Sequence, residues 1–230
     1  MIPIRDDAPH YTTPWVNYFL IALNTVVFLF ELSMGPHALN ALLSSFGLVP
    51  ANLTSALRAG AYAAALLPFL TSMFMHAGWL HIIFNMWWLW IFGDNVEDWL
   101  GHFPYLLFYL LSGLAASLVH VLFNLGTQVP SVGASGAIAG VMGAYFLLFP
   151  SARVLTFVFV FFTWLPAWLI LGYWFVLQFL SGAATSIASG GQGSSGGIAV
   201  WAHVGGFLAG VTMIKLFPPR APRYRFTAWQ

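Results

Sequence analysis

The chain contains no cysteine, and only 6% of its 230 residues are charged. The absence of cysteine excludes disulfide bonds, thiolate metal ligands and S-palmitoylation within this sequence. Soluble domains carry roughly 25% charged residues, whereas 60% of this chain is hydrophobic and its mean hydropathy is +0.84. A soluble core of this length cannot bury so much apolar surface, so we predict an integral membrane protein. A formal net charge of +1 argues against binding to nucleic acid.

Apolar segments of membrane-spanning length recur along the chain and predict an all-α polytopic membrane protein with six transmembrane helices. Residues 154–180 form an apolar run longer than the roughly 20 residues that one crossing needs. We therefore assign 164–180 to the fifth span and place 154–163 at the membrane interface, with Pro166 near the bend. The six predicted spans are residues 14–34, 79–92, 103–123, 133–149, 164–180 and 198–217.

The predicted organisation is a cytosolic N-terminal segment (residues 1–13), a six-span domain (14–217) and a basic cytosolic tail (218–230). Lysine and arginine are enriched in loops on the inner side of a membrane. This rule predicts that both termini lie inside, because only Arg58 is then left outside. The basic residues placed inside are Arg5, Arg153, Lys215, Arg220, Arg223 and Arg225.

Two connections on the predicted outer side differ in character. Residues 35–78 are long and partly apolar, which predicts an amphipathic loop lying in the membrane interface. Residues 183–197 are rich in glycine and serine, which predicts a mobile loop after the fifth span. The fifth span lacks a stripe of small residues, so we expect it to pack loosely and to move sideways as a lateral gate. Bulky side chains expected to keep this gate shut are Tyr173, Trp174, Phe175 and Phe179.

Four polar side chains lie at matched depths in three of the predicted spans. His81 and Asn85 stand one helical turn apart in the second span, Ser135 lies in the fourth, and His203 lies in the sixth. At about 1.5 Å of rise per residue, they fall within roughly 5 Å of one level near the outer side. Ionisable groups in apolar spans are costly and are functional candidates by default. A serine and a histidine at one depth can supply a nucleophile and its base.

Small residues accompany the serine and the histidine at helical spacing. Gly206 and Gly210 follow His203 on its own helix face, and Gly143 lies two turns after Ser135. Stripes of small residues let helix backbones touch in lipid. A seryl oxygen and an imidazole on facing helices need such an approach to reach hydrogen-bonding distance.

Short motifs surround these residues in a definite order along residues 71–217. They are His81-Ile-Ile-Phe-Asn85, Trp87-Trp-Leu-Trp90, Gly93-Asp-Asn-Val-Glu97-Asp-Trp-Leu-Gly101, Gly133-Ala-Ser-Gly136, and Ala202-His-Val-Gly-Gly206 with Gly210. In this order the motifs resemble those of the rhomboid family of intramembrane serine proteases, and the ordered set is specific although each motif is weak. Four glycines are expected to support helix packing around the site: Gly133, Gly136, Gly206 and Gly210.

The resemblance implies a six-helix rhomboid-like bundle with a catalytic Ser–His dyad and no carboxylate partner. Ser135 is then the nucleophile and His203 its general base. The backbone N–H of Ser135 and the side chains of His81 and Asn85 are expected to hold the oxyanion. No metal and no organic cofactor is implied. Several bacterial members carry a tyrosine that packs on the histidine, four residues after the serine, and that position is Ala139 here.

The implied function is a serine endopeptidase that cleaves single-pass transmembrane proteins near the outer end of their span. A peptide bond in a stable helix is closed to attack because its carbonyl is already hydrogen-bonded. Substrates are therefore expected to carry helix-weakening residues near the cut. The expected partners are these substrates and the lipid bilayer. The resemblance to a bacterial-type six-span core predicts a bacterial cytoplasmic membrane, with the site opening to the outer side.

Other functions agree less well with the residues. A zinc intramembrane protease needs the motif His-Glu-x-x-His, which the spacing of His76 and His81 does not provide. An aspartyl intramembrane protease needs two aspartates within spans, and the predicted spans contain none. A transporter is expected to show inverted repeats or a charged pathway, and the sequence shows neither. Two alternatives stay open. The four polar side chains could serve helix packing only, and the chain could be a rhomboid-like pseudoprotease that binds transmembrane clients without cutting them.

Overall fold

A computed structural model describes residues 1–188 and 199–220 and shows a helical bundle with one small β-sheet. The helices are α1 Trp15–Leu32, α2 Pro36–Phe46, α3 Pro50–Arg58, α4 Tyr62–Thr71, α5 Trp79–Leu100, α6 His102–Phe123, α7 Ser135–Leu148, α8 Ala167–Ala188 and α9 Val200–Met213. The strands are β1 Ile2–Asp6, β2 Arg153–Val158 and β3 Phe161–Pro166. The predicted all-α bundle is confirmed, with the addition of a sheet that was not predicted. Most of the predicted tail, residues 221–230 with Arg223 and Arg225, lies outside the described residues.

Each of the six predicted spans overlaps one helix, either α1 or one of α5 to α9. Within the described residues, α1, α6 and α8 are each long and apolar enough to cross a membrane. Tyr62–Phe74 and α5 meet the same criterion only as a pair bent by 78°, which is either one broken span or a re-entrant loop. The helices α7 and α9 are apolar but have 14 residues each. They measure about 21 Å, against a hydrocarbon core of about 30 Å. A central helix this short leaves at least one end within the core, which suits a buried site.

The sheet is formed by two chain segments that are distant in sequence. β2 and β3 form an antiparallel hairpin, and β1 pairs with β2 in the antiparallel sense. Residues 154–163, for which only a position at the membrane interface was predicted, are therefore mainly strands. Val154 and Thr156 are fully buried while Leu155 between them is half-buried, as expected of a strand with one covered face. Because the run is apolar throughout, its hydropathy does not show this alternation between buried and less buried residues.

The helix α8 begins and ends later than the predicted fifth span. It starts directly after Pro166, the last residue of β3. Proline lacks a ladder donor and therefore suits the end of an edge strand. The helix includes residues 183–188, which were predicted to be part of a mobile loop. Their alanines are good helix formers, and the run of glycine begins only after them. The remainder of that predicted loop, 189–197, lies outside the described residues.

The predicted outer loop, residues 35–78, contains α2, α3 and α4. Pro36 and Pro50 occupy the first turns of α2 and α3, where the missing N–H has no intrahelical partner to lose. Leu48 and Ser131 exchange two backbone hydrogen bonds of 3.0 and 2.8 Å. This isolated bridge ties the loop to the segment that leads into α7.

The helices α7 and α9 make backbone contact along a row of glycines. A Cβ atom added to Gly206 would lie 2.0 Å from the carbonyl oxygen of Gly136, and one added to Gly210 would lie 1.9 Å from that of Gly140. Any side chain at these positions would force the helices apart, so only glycine permits this approach. The first turns of the two helices are thereby brought together.

Polar side chains join α1 to α5 and α6 near the sheet. The carboxylate of buried Glu97 accepts the N–H groups of Val16 at 3.0 Å and Asn17 at 2.7 Å. These N–H groups belong to the first turn of α1 and have no intrahelical acceptor. The hydroxyl of Tyr105 donates to Oδ1 of Asn17 at 2.8 Å, and Nδ2 of Asn17 donates to the carbonyl of Leu89 at 3.1 Å. These hydrogen bonds therefore hold α1, α5 and α6 together at the end of the bundle near the sheet.

Candidate active site

Ser135 and His203 face each other across the contact between α7 and α9. Ser135 is the first residue of α7, and His203 lies in the first turn of α9. Oγ of Ser135 is 2.8 Å from Nε2 of His203, which is hydrogen-bonding distance. His203 is 8% exposed and Ser135 is half-buried. A hydroxyl and an imidazole so placed can exchange a proton without any rearrangement.

The position of Ser135 at a helix start gives its backbone a further property. The first N–H groups of a helix have no intrahelical acceptor, and the helix dipole places partial positive charge at this end. Negative charge that forms beside Oγ of Ser135 therefore meets free donors. The preceding turn is set by Gly133, which has a φ of +129° and donates its N–H to the carbonyl of Ser72 at 2.8 Å.

His81 and Asn85 lie one turn apart near the start of α5. A Cβ atom added to Gly133 would lie 2.7 Å from Nε2 of His81 and 3.7 Å from Nδ2 of Asn85. The turn before Ser135 therefore passes directly beside both side chains, because it carries no side chain itself. Nδ2 of Asn85 is buried and has no hydrogen-bond partner among the described residues. A buried donor of this kind is costly unless it serves a ligand.

All four predicted site residues line one cavity of about 680 Å³, between α5, α7, α8 and α9. This volume lies in the range typical of ligand pockets. Apolar side chains form most of the remaining wall, including Leu80, Phe84, Trp88, Ile138 and Met142. The cavity therefore combines an apolar wall with a small group of polar atoms near the start of α7.

Tryptophan from α8 packs on the histidine. The ring of Trp174 lies 5.7 Å from the imidazole of His203, between centroids, and 6.0 Å from the ring of Trp88 on α5. Ala139, at the position of the tyrosine found in several family members, is fully buried. An aromatic neighbour for the histidine is thus supplied by a different helix. The sequence alone assigned Trp174 only to packing of the gate.

Gln178 belongs to the site but was not predicted from the sequence. Its Oε1 lies 2.8 Å from Nδ1 of His203. It is the only amide side chain in the apolar run 164–180, and a polar group in such a run is a functional signal. The sequence therefore identifies Gln178 as a candidate functional residue but not its partner, because hydropathy does not show which side of α8 faces α9.

A second histidine, His76, packs against the ring of His81. The ring of His76 meets that of His81 edge to face, with centroids 5.1 Å apart. The backbone N–H of His76 donates to Oε2 of Glu31 at 3.1 Å, and both residues are buried. Neither ring nitrogen of His76 has a hydrogen-bond partner among the residues that the structure describes.

These features define a helical membrane protein with a serine and a histidine in contact on two central helices. The chain matches the family model described as Rhomboid domain over residues 63–220. This match covers more than half of the chain, and the protein belongs to the rhomboid family.

Curated relatives carry the same family name. The chain is 34% identical to Rhomboid protein 1, mitochondrial, of Saccharomyces cerevisiae over 154 residues, which cover 65% of this chain and 41% of the relative. It is 46% identical to Rhomboid-like protein 11, chloroplastic, of Arabidopsis thaliana over 72 residues (31% and 25%). It is 41% identical to Rhomboid protease GluP of Bacillus subtilis over 75 residues (33% and 14%). The chain thus spans less than half the length of these relatives.

The predicted bacterial cytoplasmic membrane is wrong. Relatives from yeast, Arabidopsis thaliana and Danio rerio are named as mitochondrial proteins, and one from Arabidopsis thaliana is named as chloroplastic. These relatives point to an organellar membrane. The prediction rested on a minimal set of spans, and span number reports how a chain crosses a bilayer, not which bilayer it crosses.

Proposed function

We propose that this rhomboid protein is an intramembrane serine endopeptidase with Ser135 as nucleophile and His203 as general base. The observation that carries the proposal is the 2.8 Å contact between Oγ of Ser135 and Nε2 of His203. A seryl hydroxyl is a weak nucleophile until a neighbouring base takes its proton. The relative in Bacillus subtilis that is named a protease supports the same reading.

The proposed reaction has two halves. Oγ of Ser135 attacks the carbonyl carbon of the substrate peptide bond while its proton passes to Nε2 of His203. As the C–N bond breaks, His203 gives this proton to the leaving amine, and an acyl-serine remains. Water then attacks the acyl carbon and loses a proton to His203. Collapse of the second intermediate returns a proton to Ser135 and releases the new carboxyl group.

The oxyanion of each tetrahedral intermediate needs donors in place before it forms. The backbone N–H of Ser135 and the side chains of His81 and Asn85 take this role in the proposal. Support comes from Nδ2 of Asn85, which is buried without a partner in the part of the chain that the structure describes. The positive end of α7 adds to the same stabilisation.

The proposed substrates are single-pass transmembrane proteins cut near one end of their span. The scissile segment must leave its helix, since a helical carbonyl is already hydrogen-bonded. The cavity of about 680 Å³ has mainly apolar walls and suits an extended apolar segment with a small residue before the cut. Gly, Pro or Ser near the cut would lower the free energy needed to unwind the substrate helix.

The test is incubation of the detergent-purified protein with a panel of transmembrane substrates, followed by mass spectrometry of the products. We expect cuts near one end of the substrate span, and no cuts with Ser135→Ala. A fluorophosphonate probe should label Ser135 in the wild-type protein. A protein that retains transmembrane clients but neither cuts them nor reacts with the probe would be a pseudoprotease, and the proposal would then be wrong.

A further inference from the structure

Both ring nitrogens of His203 are engaged, and by different helices. Nε2 faces Oγ of Ser135 on α7, and Nδ1 faces Oε1 of Gln178 on α8, each at 2.8 Å. Gln178 also lines the active-site cavity. The imidazole is therefore held from two opposite edges.

The chemistry of an amide oxygen determines the protonation of the ring. Oε1 is only an acceptor, so the bond to Nδ1 requires that Nδ1 carry the proton. A neutral imidazole has one N–H, so Nε2 is then unprotonated and accepts from the hydroxyl of Ser135. The opposite tautomer would present an N–H to Ser135 and could not take its proton.

Packing alone cannot make this choice. The ring of Trp174 lies 5.7 Å from that of His203 and restricts its plane, but an aromatic face contacts both tautomers equally. In the Ser–His–Asp arrangement a carboxylate holds the histidine in the correct tautomer. At this site the group that meets Nδ1 is a neutral amide.

We propose that Gln178 is a positioning residue that sets the tautomer and orientation of His203 through Nδ1. This inference rests on the proposed protease function. Because Gln178 belongs to α8 while His203 belongs to α9, the base is prepared only while these helices are packed together. Phe175 of α8 stacks on Phe207 of α9 with ring centroids 4.8 Å apart and keeps them in register.

The test compares three substitutions with wild type. Gln178→Leu and Gln178→Met remove the acceptor at similar size, while Gln178→Glu keeps an acceptor oxygen. Leu177→Ala, at an exposed neighbour on the same helix, is the matched control. We expect Gln178→Leu and Gln178→Met each to lower kcat and the rate of fluorophosphonate labelling about 10- to 100-fold, with little change in KM. The Leu177→Ala control should label at the wild-type rate.

The variant Gln178→Glu should label Ser135 at the wild-type rate, and the acidic limb of its pH–rate profile should lie at higher pH than that of the wild type. The reason is that a carboxylate stabilises the protonated imidazole more than an amide does. Other titratable side chains that influence His203 are His81 on α5 and His120 on α6, and they are unchanged in all variants. A residue that only fills space would not shift the profile.

A direct measurement is nitrogen-15 NMR of histidine-labelled protein, with the signals of His203 assigned by comparison with His203→Ala. We expect a protonated Nδ1 in wild type and a mixture of tautomers in Gln178→Met. The inference is overturned if Gln178→Leu and Gln178→Met label Ser135 at the wild-type rate, or if the tautomer does not change. Failure of the wild-type protein to react with the probe would instead reject the proposed protease function.

Discussion

At the scale of single residues, the candidate site contains a few polar atoms, some with a hydrogen-bond partner and one without. Oγ of Ser135 lies within hydrogen-bonding distance of Nε2 of His203, and Nδ1 of His203 lies within hydrogen-bonding distance of Oε1 of Gln178. Asn85 lines the cavity, and its Nδ2 is buried without a hydrogen-bond acceptor among the described residues. Each atom should therefore respond to substitution in its own way, and kinetics can separate attack on the substrate from stabilisation of the oxyanion.

Loss of either member of the proposed Ser135–His203 dyad should abolish cleavage. We expect Ser135→Ala and His203→Ala each to lower kcat by about 10⁴-fold or more, and the double variant to be no worse than either, because the two residues act as a unit. Thr212→Val is a control on α9, since Thr212 is exposed and its hydroxyl donates to carbonyl groups of its own helix. Near-wild-type cleavage by either single variant would exclude the dyad.

Removal of a proposed oxyanion donor should affect the chemical step more than substrate binding. We expect His81→Ala and Asn85→Ala to lower kcat by about 10²- to 10³-fold, with smaller changes in KM, because these donors matter most when the oxyanion forms. Ile83→Ala, exposed on the same helix, should leave kcat unchanged. Unchanged kcat with a raised KM in both variants would assign these residues to substrate docking instead.

At the scale of helices, the two sides of α8 differ in how firmly they are held. Towards α9, Phe175 stacks on Phe207, and Phe179 meets Trp201 edge to face with centroids 6.2 Å apart. Towards α5, the ring contact is that of Trp174 with Trp88. Phe175 and Phe179, which we expected to keep the lateral gate shut, therefore pack on α9. If a gate lies between α5 and α8, the ring contact that closes it among the described residues is the tryptophan pair.

Shortening the tryptophan on α5 should open this gap. We expect Trp88→Ala to raise, or at least preserve, cleavage of transmembrane substrates while lowering thermal stability, because it removes the closing contact without touching His203. Phe175→Ala should lower stability without raising cleavage, because Phe175 packs on α9. Equal gains in cleavage by the two variants would show that general loosening, and not a gate between α5 and α8, admits the substrate.

Cross-linking offers a complementary test, since the chain has no cysteine of its own. Cysteines introduced at Trp88 and Trp174 can be joined by a bifunctional thiol reagent, and each sample is compared with itself before joining. Cleavage of transmembrane substrates should fall on joining, while fluorophosphonate labelling of Ser135 should persist. Unimpaired cleavage in a fully joined sample would show that the substrate enters elsewhere.

At the scale of the whole molecule, the sheet fastens the first residues of the chain to the bundle. The hydroxyl of Tyr145 on α7 donates to Oδ2 of Asp6 in β1. Nε of Arg153 donates to Oδ2 of Asp7 at 2.9 Å. Burial raises the pKa of the Asp6 carboxyl above its ordinary value, and the hydrogen bond from Tyr145 only partly opposes this. The folded protein therefore holds a proton on Asp6 to higher pH than the unfolded chain does.

Stability should consequently depend on pH through Asp6. The contribution of this group is full below the pKa of the unfolded chain and is lost as the pH rises through the raised pKa of the fold. We expect Asp6→Asn, which stays neutral and can still accept from Tyr145, to raise Tm at pH 7 relative to wild type by more than it does at pH 4. Thermal unfolding in detergent at the two pH values measures this difference, and an equal shift at both would contradict the role of Asp6.

Much of this architecture follows from the order of residues along the chain. The positions of the six apolar helices follow from hydropathy, since the cost of exposing backbone polar groups to lipid leaves few alternatives to a helix. The matched depth of Ser135 and His203 follows from helical rise. The glycines at Gly206 and Gly210 indicate in advance that two helices touch, because close backbone approach excludes larger residues.

The remaining features were decided by tertiary structure. Pairing of β1 with β2 joins segments far apart in sequence, and an apolar run does not disclose a strand whose partner is remote. The contact of Gln178 with His203 depends on the rotation of α8 about its axis, which packing against α9 sets. Hydropathy measures the affinity of a residue for lipid, and it is the same for every rotation of a helix. The sequence alone therefore determined which residues could form a site and at what depth, and packing alone determined which atoms meet there.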